Sequence, residues 1–474
     1  MSDRRFDVDV AILGAGTAGL AALREVRRKT ERFVIVNDGP YGTTCARVGC
    51  MPSKALIEAA DAFHRRRSFQ AFGIHGAQGL SADIPAVLRR VRELRDGFVR
   101  GALQVTEALG ERSIAGRARL LGPNRIEVNG RTIEAAAIIV ATGSRPVVPD
   151  AWRALGGRVL DTDAFFEQQD LPRRIAVVGM GAVGAELAQA LSRLGIEVTG
   201  FGAEAAVAGL TDPAVNASLV AALREEFPVH LGTPAEISED GGGLRVRSGE
   251  NEARVECVIA ALGRRPNVDD IGLESLGVAL DGDGLPPFDP LSMRIGDLPV
   301  FLAGDADARM PVLHEASDDG HVAGLTSQGE IAQVFRRRTA MSVVFCQPNV
   351  ATVGRRFAEL DEQTVAIGEV DFAGQSRARM AQRDGGLMRL YASRDRGTLV
   401  GAEMCAPAGE HLAHLLALAI DRSLNVHDLL RIPFYHPTLE EGMRTALRQI
   451  AKQVPACSDS DLASCGAIGA EALD

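Results

Sequence analysis

Cys45 and Cys50, separated by Ala46-Arg47-Val48-Gly49, are the residues of this chain best suited to chemistry. Two thiols at that spacing can close into a disulfide and reopen, which makes them a store for an electron pair. The segment runs on through Met51-Pro52-Ser53-Lys54 into a helix start. Proline is tolerated in a first helical turn, where its missing N–H would have had no partner, and a helix N-terminus favours thiolate over thiol at Cys50. Lys54 then falls one turn beyond Cys50 on the same face. A structural clip is the competing reading, but a bridge closing so short a loop adds little stability, and thiols in the cytosol are normally kept reduced. The pair is read as a redox centre.

Phe434-Tyr435-His436-Pro437-Thr438-Leu439-Glu440-Glu441 is the second chemical segment. A residue ahead of proline avoids helical angles, so His436 is expected in an extended stretch before a helix, its ring free to point away. Histidine titrates near neutrality and can take the proton of one thiol and return it to another. Thr438 and Glu441 also fit a capping box, which would be a structural use of Glu441.

Repeated elements can position these groups. Val8-Asp9-Val10-Ala11-Ile12-Leu13 reads as a buried strand, and Gly14-Ala15-Gly16-Thr17-Ala18-Gly19 opens an apolar-periodic helix through Arg28. Glycines there allow a tight turn, close approach of backbone to a pyrophosphate and close helix packing. The strand Phe33-Val34-Ile35-Val36 ends at Asn37-Asp38, the distance at which a ribose-binding residue is expected. The pattern returns at Arg174-Ile175-Ala176-Val177-Val178, Gly179-Met180-Gly181-Ala182-Val183-Gly184, a helix through about Leu194 and the strand Glu197 to Phe201. Two such units imply two nucleotides and electron passage between them. Strand-to-turn pieces at Ile138 to Gly143 and Val258 to Gly263 end the units in matching fashion. Val300-Phe301-Leu302-Ala303-Gly304-Asp305 is a further buried strand that ends in a carboxylate.

By these motifs and their order the chain resembles the flavin-dependent pyridine nucleotide–disulfide oxidoreductases, essentially throughout to about Gln453. The resemblance implies an α/β protein with two Rossmann-like domains, for FAD and NAD, followed by a central region and a C-terminal α+β dimerisation domain. The expected divisions are residues 1–150, 151–275, 276–340 and 341–453, with a flexible tail at 454–474. It implies that non-covalent FAD rests on Gly14, Gly16, Gly19, Asn37, Asp38, Gly42, Thr44, Lys54, Thr142, Gly143, Gly304 and Asp305. NAD(H) would rest on Gly179, Gly181, Gly184, Glu204 and Gly263. His436, oriented by Glu441, would act across a homodimer interface on the other subunit's Cys45. Lys54 would pair with Glu186 beside the flavin; otherwise a solvated helix glutamate is the default for Glu186.

The stretches Leu313 to Gly320, Ala408 to Leu412 and Leu429 to Thr438 lean towards dihydrolipoyl dehydrogenase. That choice implies a separate lipoyl-carrying protein as partner, in a 2-oxoacid dehydrogenase or glycine-cleavage type of complex. The alternative is an NAD(P)H-dependent reductase of another disulfide or of mercuric ion. Retention of Cys45, Cys50, Lys54, His436 and Glu441 together argues against a non-catalytic assembly subunit. Arg47 and Thr43 depart from the family's pattern, and Arg47 could lower a thiol pKa or receive an acidic substrate. Gly202 stands where NAD-preferring relatives carry a glutamate; Glu204 follows, and no basic residue lies between Arg193 and Arg224 to pair a 2′-phosphate. NAD is therefore expected over NADP.

Composition sets the bounds. With 474 residues, 46% hydrophobic and 24% charged, the chain reads as a soluble multidomain protein. Its net charge of −10 disfavours nucleic acid, and the absence of a leader pattern or a membrane-length apolar run points to the cytoplasm. Seven scattered cysteines make neither a secreted disulfide framework nor a metal site. Cys457 and Cys465, in the tail, could form a thiol relay.

Overall fold

The computed structural model describes residues 6–329 and 334–455. Its first sheet sets the strands Ser113–Ala115, Phe33–Asn37, Val8–Leu13, Arg131–Val140 and Val300–Leu302 side by side and parallel. Ala11, Ile12, Ile138, Ile139 and Val140 are wholly buried within it, as expected of strands covered on both faces. Register explains why distant segments meet. Leu13 and Leu302 both lie opposite Val140, so the turns after all three strands emerge at one sheet edge. That edge is where open α/β sheets bind ligands.

The second sheet repeats the plan. Val229–Leu231, Glu197–Gly202, Arg174–Val178, Cys257–Ala260 and Val159–Asp161 are all parallel, and Val178 is opposite both Phe201 and Ala260. The first glycine of each unit has the same physical reason to be glycine. Gly14 and Gly179 take φ of +111° and +101°, and a Cβ on either would stand 2.2 Å from a carbonyl, that of Ala141 or of Ala261. The helix α1, Thr17–Val26, follows the first turn and ends two residues short of the expected Arg28.

The third sheet is antiparallel, in the order Met341–Val344, Asn349–Gly354, Leu399–Ala406, Leu387–Ser393, Val365–Asp371. The sequence alone suggests alternating strands at Ser342 to Phe345, Gly386 to Tyr391 and Thr398 to Met404 followed by two helices, so it finds the first, third and fourth of these and misses the other two. Val365–Asp371 is interrupted by Gly368, which reads as a breaker. In the fold that glycine admits a helix: a Cβ there would lie 2.1 Å from the Ala446 carbonyl. Gly409–Asp421 and Glu441–Ala451 are the two expected helices, with the short Val426–Leu430 between them. The buried Glu403 of this sheet accepts hydrogen bonds from the backbone N–H groups of Thr211 (2.7 Å), Asp212 (2.9 Å) and Phe357 (2.9 Å). Tyr391 donates to Asp212 at 2.8 Å, so the second nucleotide unit is fastened to the third sheet through buried, satisfied carboxylates.

Candidate active site

Two helical pieces present the cysteines. Cys45 lies in α2, Thr44–Arg47, which Thr43 caps by accepting from the Ala46 N–H at 3.1 Å; this gives Thr43 a local reason to replace glycine. Cys50 opens α3, Cys50–His64, with Pro52 inside its first turn. Both are free thiols, which is the reduced state of the pair. The Cys45 thiol donates to Cys50, and this bond lowers Cys50 from 9.0 to about 6; partial desolvation opposes the shift and the Lys54 charge adds to it. Cys45 is pushed well above the ordinary range, first by the same hydrogen bond and then by desolvation. At neutral pH the reduced pair therefore holds a thiolate at Cys50 and a thiol at Cys45. The helix start that the sequence suggests as the cause is joined by a stronger one, the neighbouring thiol. Lys54, not Arg47, is the cation among the named causes.

Lys54 Nζ lies 2.9 Å from both carboxylate oxygens of Glu186, across 132 positions of sequence. Glu186 belongs to the helix Ala182–Arg193, is only 5% exposed and also accepts from the Phe345 N–H at 2.8 Å. The Lys54 ammonium stands 4.7 Å from the centre of the Phe345 ring. This is no solvated glutamate. One ion pair joins α3 to the second nucleotide unit and to the start of the third sheet.

Beside Gly14 opens a cavity of about 450 Å³, bordered by Leu13, Val36, Asn37, Asp38, Gly116, Ala118, Thr142, Asn267 and Asp269. Asn37 Oδ1 accepts from the Ala15 N–H at 3.0 Å and its Nδ2 donates to the Gly39 carbonyl at 3.1 Å. Its amide thus helps to shape the glycine turn while it borders the cavity, beside Asp38, the exposed carboxylate at that strand end. Asp305 accepts from Ser144 Oγ at 2.7 Å, and Ser144 in turn accepts from Arg264 at 2.8 Å. Below it the Gly304 N–H donates to Asp319 at 3.2 Å, and Arg337 pairs with both Asp319 and Glu315. Gly116, Ser144, Arg264 and Asn267 carry no motif, and sequence reading missed them; Asp319 lies within the Leu313 to Gly320 stretch, but the pattern assigns it no role. Ser144 and Arg264 lie on the paired strands Ser144–Pro146 and Arg264–Pro266, a link that neither strand's own sequence announces.

At the second unit, Gly179 lies against the Ala261 carbonyl, two residues before Gly263, with Gly181 as N-cap of the helix that contains Gly184. Gly202 is buried, and a Cβ there would meet Leu231 at 2.8 Å, so a longer side chain would have to displace that leucine. Glu204, two residues on, is exposed. Arg193 is buried against Asp61 and Glu226, and Arg224 donates to the Val229 carbonyl, so both are spent within the protein.

His436 Nδ1 lies 3.1 Å from both oxygens of Glu441. The Thr438 N–H donates to the same carboxylate at 3.0 Å, and these two donors, Thr438 first, lower the Glu441 carboxyl below its ordinary value. Only half of the expected capping box forms. The Thr438 hydroxyl donates to the Tyr435 carbonyl, and Glu440 is the N-cap of the helix that starts at Glu441. Glu441 thus serves the loop and the histidine at once. His436 is 75% exposed and Tyr435 83%, and His436 is not among the groups named as shifting either thiol.

The profile of the pyridine nucleotide-disulphide oxidoreductases matches residues 8–320, and that of their dimerisation domain matches 340–447. The chain belongs to this family. Dihydrolipoyl dehydrogenase of Thermus scotoductus is 31% identical over 94% of the chain and 98% of its own length. That of Staphylococcus aureus is 28% identical over 93% and 96%, and mercuric reductase of Acidithiobacillus ferrooxidans is 29% identical over 94% and 83%. Among solved structures, LpdA of Mycobacterium tuberculosis superposes with a TM-score of 0.80 at 25% identity, covering 93% of this chain and 99% of its own. As a member of the family this oxidoreductase is a flavoprotein that uses FAD and NAD(H) and forms a homodimer. The residues present fit FAD. Thr142 Oγ1 is buried with no partner in the described structure, and it borders the cavity at the glycine turn. Among the described residues no helix is long and apolar enough to cross a membrane, and no cluster could hold a metal ion. Cys457 and Cys465 lie outside the described residues.

Proposed function

We propose that this oxidoreductase takes an electron pair from a dithiol, a protein-bound dihydrolipoyl group foremost, and delivers it to NAD through the Cys45–Cys50 couple. The observation that carries this reading is the unequal pair, Cys50 lowered to about 6 and Cys45 raised, beside the Lys54–Glu186 ion pair. A substrate thiolate attacks Cys45 Sγ of the disulfide; the Cys45–Cys50 bond breaks and Cys50 leaves as thiolate. The proton of that thiol passes to His436 Nε2 of the partner subunit, whose Nδ1 is held by Glu441. The second substrate thiol then attacks the substrate sulfur of the mixed disulfide and releases Cys45. Of the two substrate protons, one ends on Cys45 and the other leaves through His436, while the electron pair rests on the cysteine sulfurs. FAD, when bound, supplies two-electron transfer between these thiols and the nicotinamide. Gly14, Gly16, Gly19, Asp38, Gly42, Thr44, Thr142, Gly143, Gly304 and Asp305 would hold it, and Lys54, fixed by Glu186, would stabilise negative charge near it. Gly179, Gly181, Gly184, Gly263 and Glu204 would hold the nicotinamide nucleotide.

Nothing in the couple sets direction, so the same residues would serve a reductase of another disulfide or of mercuric ion, which the mercuric reductase relative supports. Assays of purified enzyme with dihydrolipoamide plus NAD, beside NADPH-driven reduction of disulfides and mercuric ion, separate the two. Faster turnover in the second set overturns the dihydrolipoyl assignment. For the nucleotide, Glu204→Ala is expected to raise the KM for NAD about tenfold and leave that for NADP little changed. A hydrogen bond from ribose to carboxylate is worth about 1.5 kcal/mol or more. Unchanged NAD kinetics would remove Glu204 from the site.

A further inference from the structure

We infer that Arg47 is a specificity-determining residue that admits dithiol or disulfide substrates bearing an anionic group, a carboxylate or phosphate, near the reacting sulfur. The inference rests on the proposed attack at Cys45. Arg47 closes α2 two residues after that cysteine. Its stem is already placed: Cγ and Cδ lie 3.3 Å from where a Cβ on Gly42 would stand, and Val99 meets the same spot at 2.9 Å. Val99 belongs to α4, Ile84–Glu107, so the arginine is clamped in the seam between α2 and α4. A stem already packed forfeits little side-chain freedom when its head takes a ligand.

The head has nothing to hold. Among the described residues the Arg47 guanidinium has no hydrogen-bond or ion-pair partner, although the residue is half-buried. Other half-buried arginines, Arg145, Arg264, Arg337 and Arg389, all end on carboxylates. Nor is its charge spent on the thiols, where Lys54 is the named cation. Arg100, which follows Val99 on α4, is likewise without a hydrogen-bond or ion-pair partner among the described residues, so a second unpaired cation stands on the helix that packs against α2. A guanidinium fork fits a carboxylate or a phosphate. The FAD diphosphate is the other anion to consider. Gly42 beneath the stem and Thr44 of the same helix would hold FAD, so retention of flavin in the variant decides between the two anions.

Lipoate and lipoamide make the test, since they share one disulfide ring and differ in a terminal charge. With NADH and the FAD-loaded dimer, Arg47→Ala is expected to lower the lipoate-to-lipoamide ratio of kcat/KM about tenfold, through KM. Arg47→Lys should keep most of the ratio, Arg47→Glu should depress it further, and added salt should compress the difference. A ratio that stays within about twofold of wild type in Arg47→Ala overturns the inference. So does loss of FAD from that variant, read as free-flavin fluorescence after gel filtration, with the ratio unmoved; the guanidinium would then serve the cofactor. Cys45→Ser keeps the two readings apart. If it still turns over lipoamide, the attack at Cys45 fails; if it does not and the ratio is unmoved in Arg47→Ala, only the role of Arg47 fails.

Discussion

Cys45→Ser is expected to lower dithiol turnover by about 10³-fold or more while the purified variant stays yellow and folded. A serine hydroxyl cannot form the mixed disulfide, and no other described thiol can take over. Cys257, Cys346 and Cys405 are buried, and burial raises all three thiols, leaving them poor nucleophiles. Cys50→Ser should cost as much overall, for a different reason. Cys45 could still attack an external disulfide, but no internal thiol would resolve the mixed disulfide that forms, so a stable adduct should accumulate and be visible by mass spectrometry. Steady-state rates and intact mass of the two variants, side by side, distinguish the roles. Equal behaviour in both assays would mean that the roles are assigned wrongly.

His436→Ala is expected to cut dithiol oxidation by about 10²-fold while reduction of the bound flavin by NADH stays fast. The histidine has one nitrogen on Glu441 and its ring 75% exposed, which suits a group that must meet a thiol of the other subunit. Glu441→Gln should cost less, about tenfold, because an amide still accepts the Thr438 N–H but no longer steadies a cationic ring. Stopped-flow measurement of the two half-reactions separates chemistry from architecture. Equal losses in both would leave His436 a purely structural part of the dimer interface.

The two nucleotide units were legible because each is a continuous apolar run followed by glycines at fixed spacing. Val8–Leu13 and Arg174–Val178 begin and end where the sequence says. The strands Asn349–Gly354 and Val365–Asp371 were not, since one follows Gln347-Pro348 and the other holds Gly368, which read locally as breaks. The thiol loop announces its own chemistry. Its ion pair does not: nothing local brings Lys54 to Glu186, and only resemblance suggested a meeting that the fold then makes. Asn37 shows the opposite limit. Its place at a strand end suggests a ribose contact, and its amide also ties Ala15 and Gly39, a use visible only once the turn has folded back. The buried carboxylates Glu403 and Asp212 have no periodic or motif signature, because their partners come from other elements of the fold.

An anaerobic reductive titration of the yellow dimer, followed by absorbance at several pH values, tests the central claim most directly. The account predicts that two electrons per subunit bring up a long-wavelength charge-transfer band from the Cys50 thiolate against oxidised flavin. Because Cys50 is lowered from 9.0 to about 6, the band should persist through neutral pH and fade only as the pH falls through about 6. It should survive in Cys45→Ser and be absent in Cys50→Ser. A band that needs a pH near 9, that is missing in wild type, or that is lost equally in both variants would contradict the assignment of Cys50 as the thiolate facing the flavin.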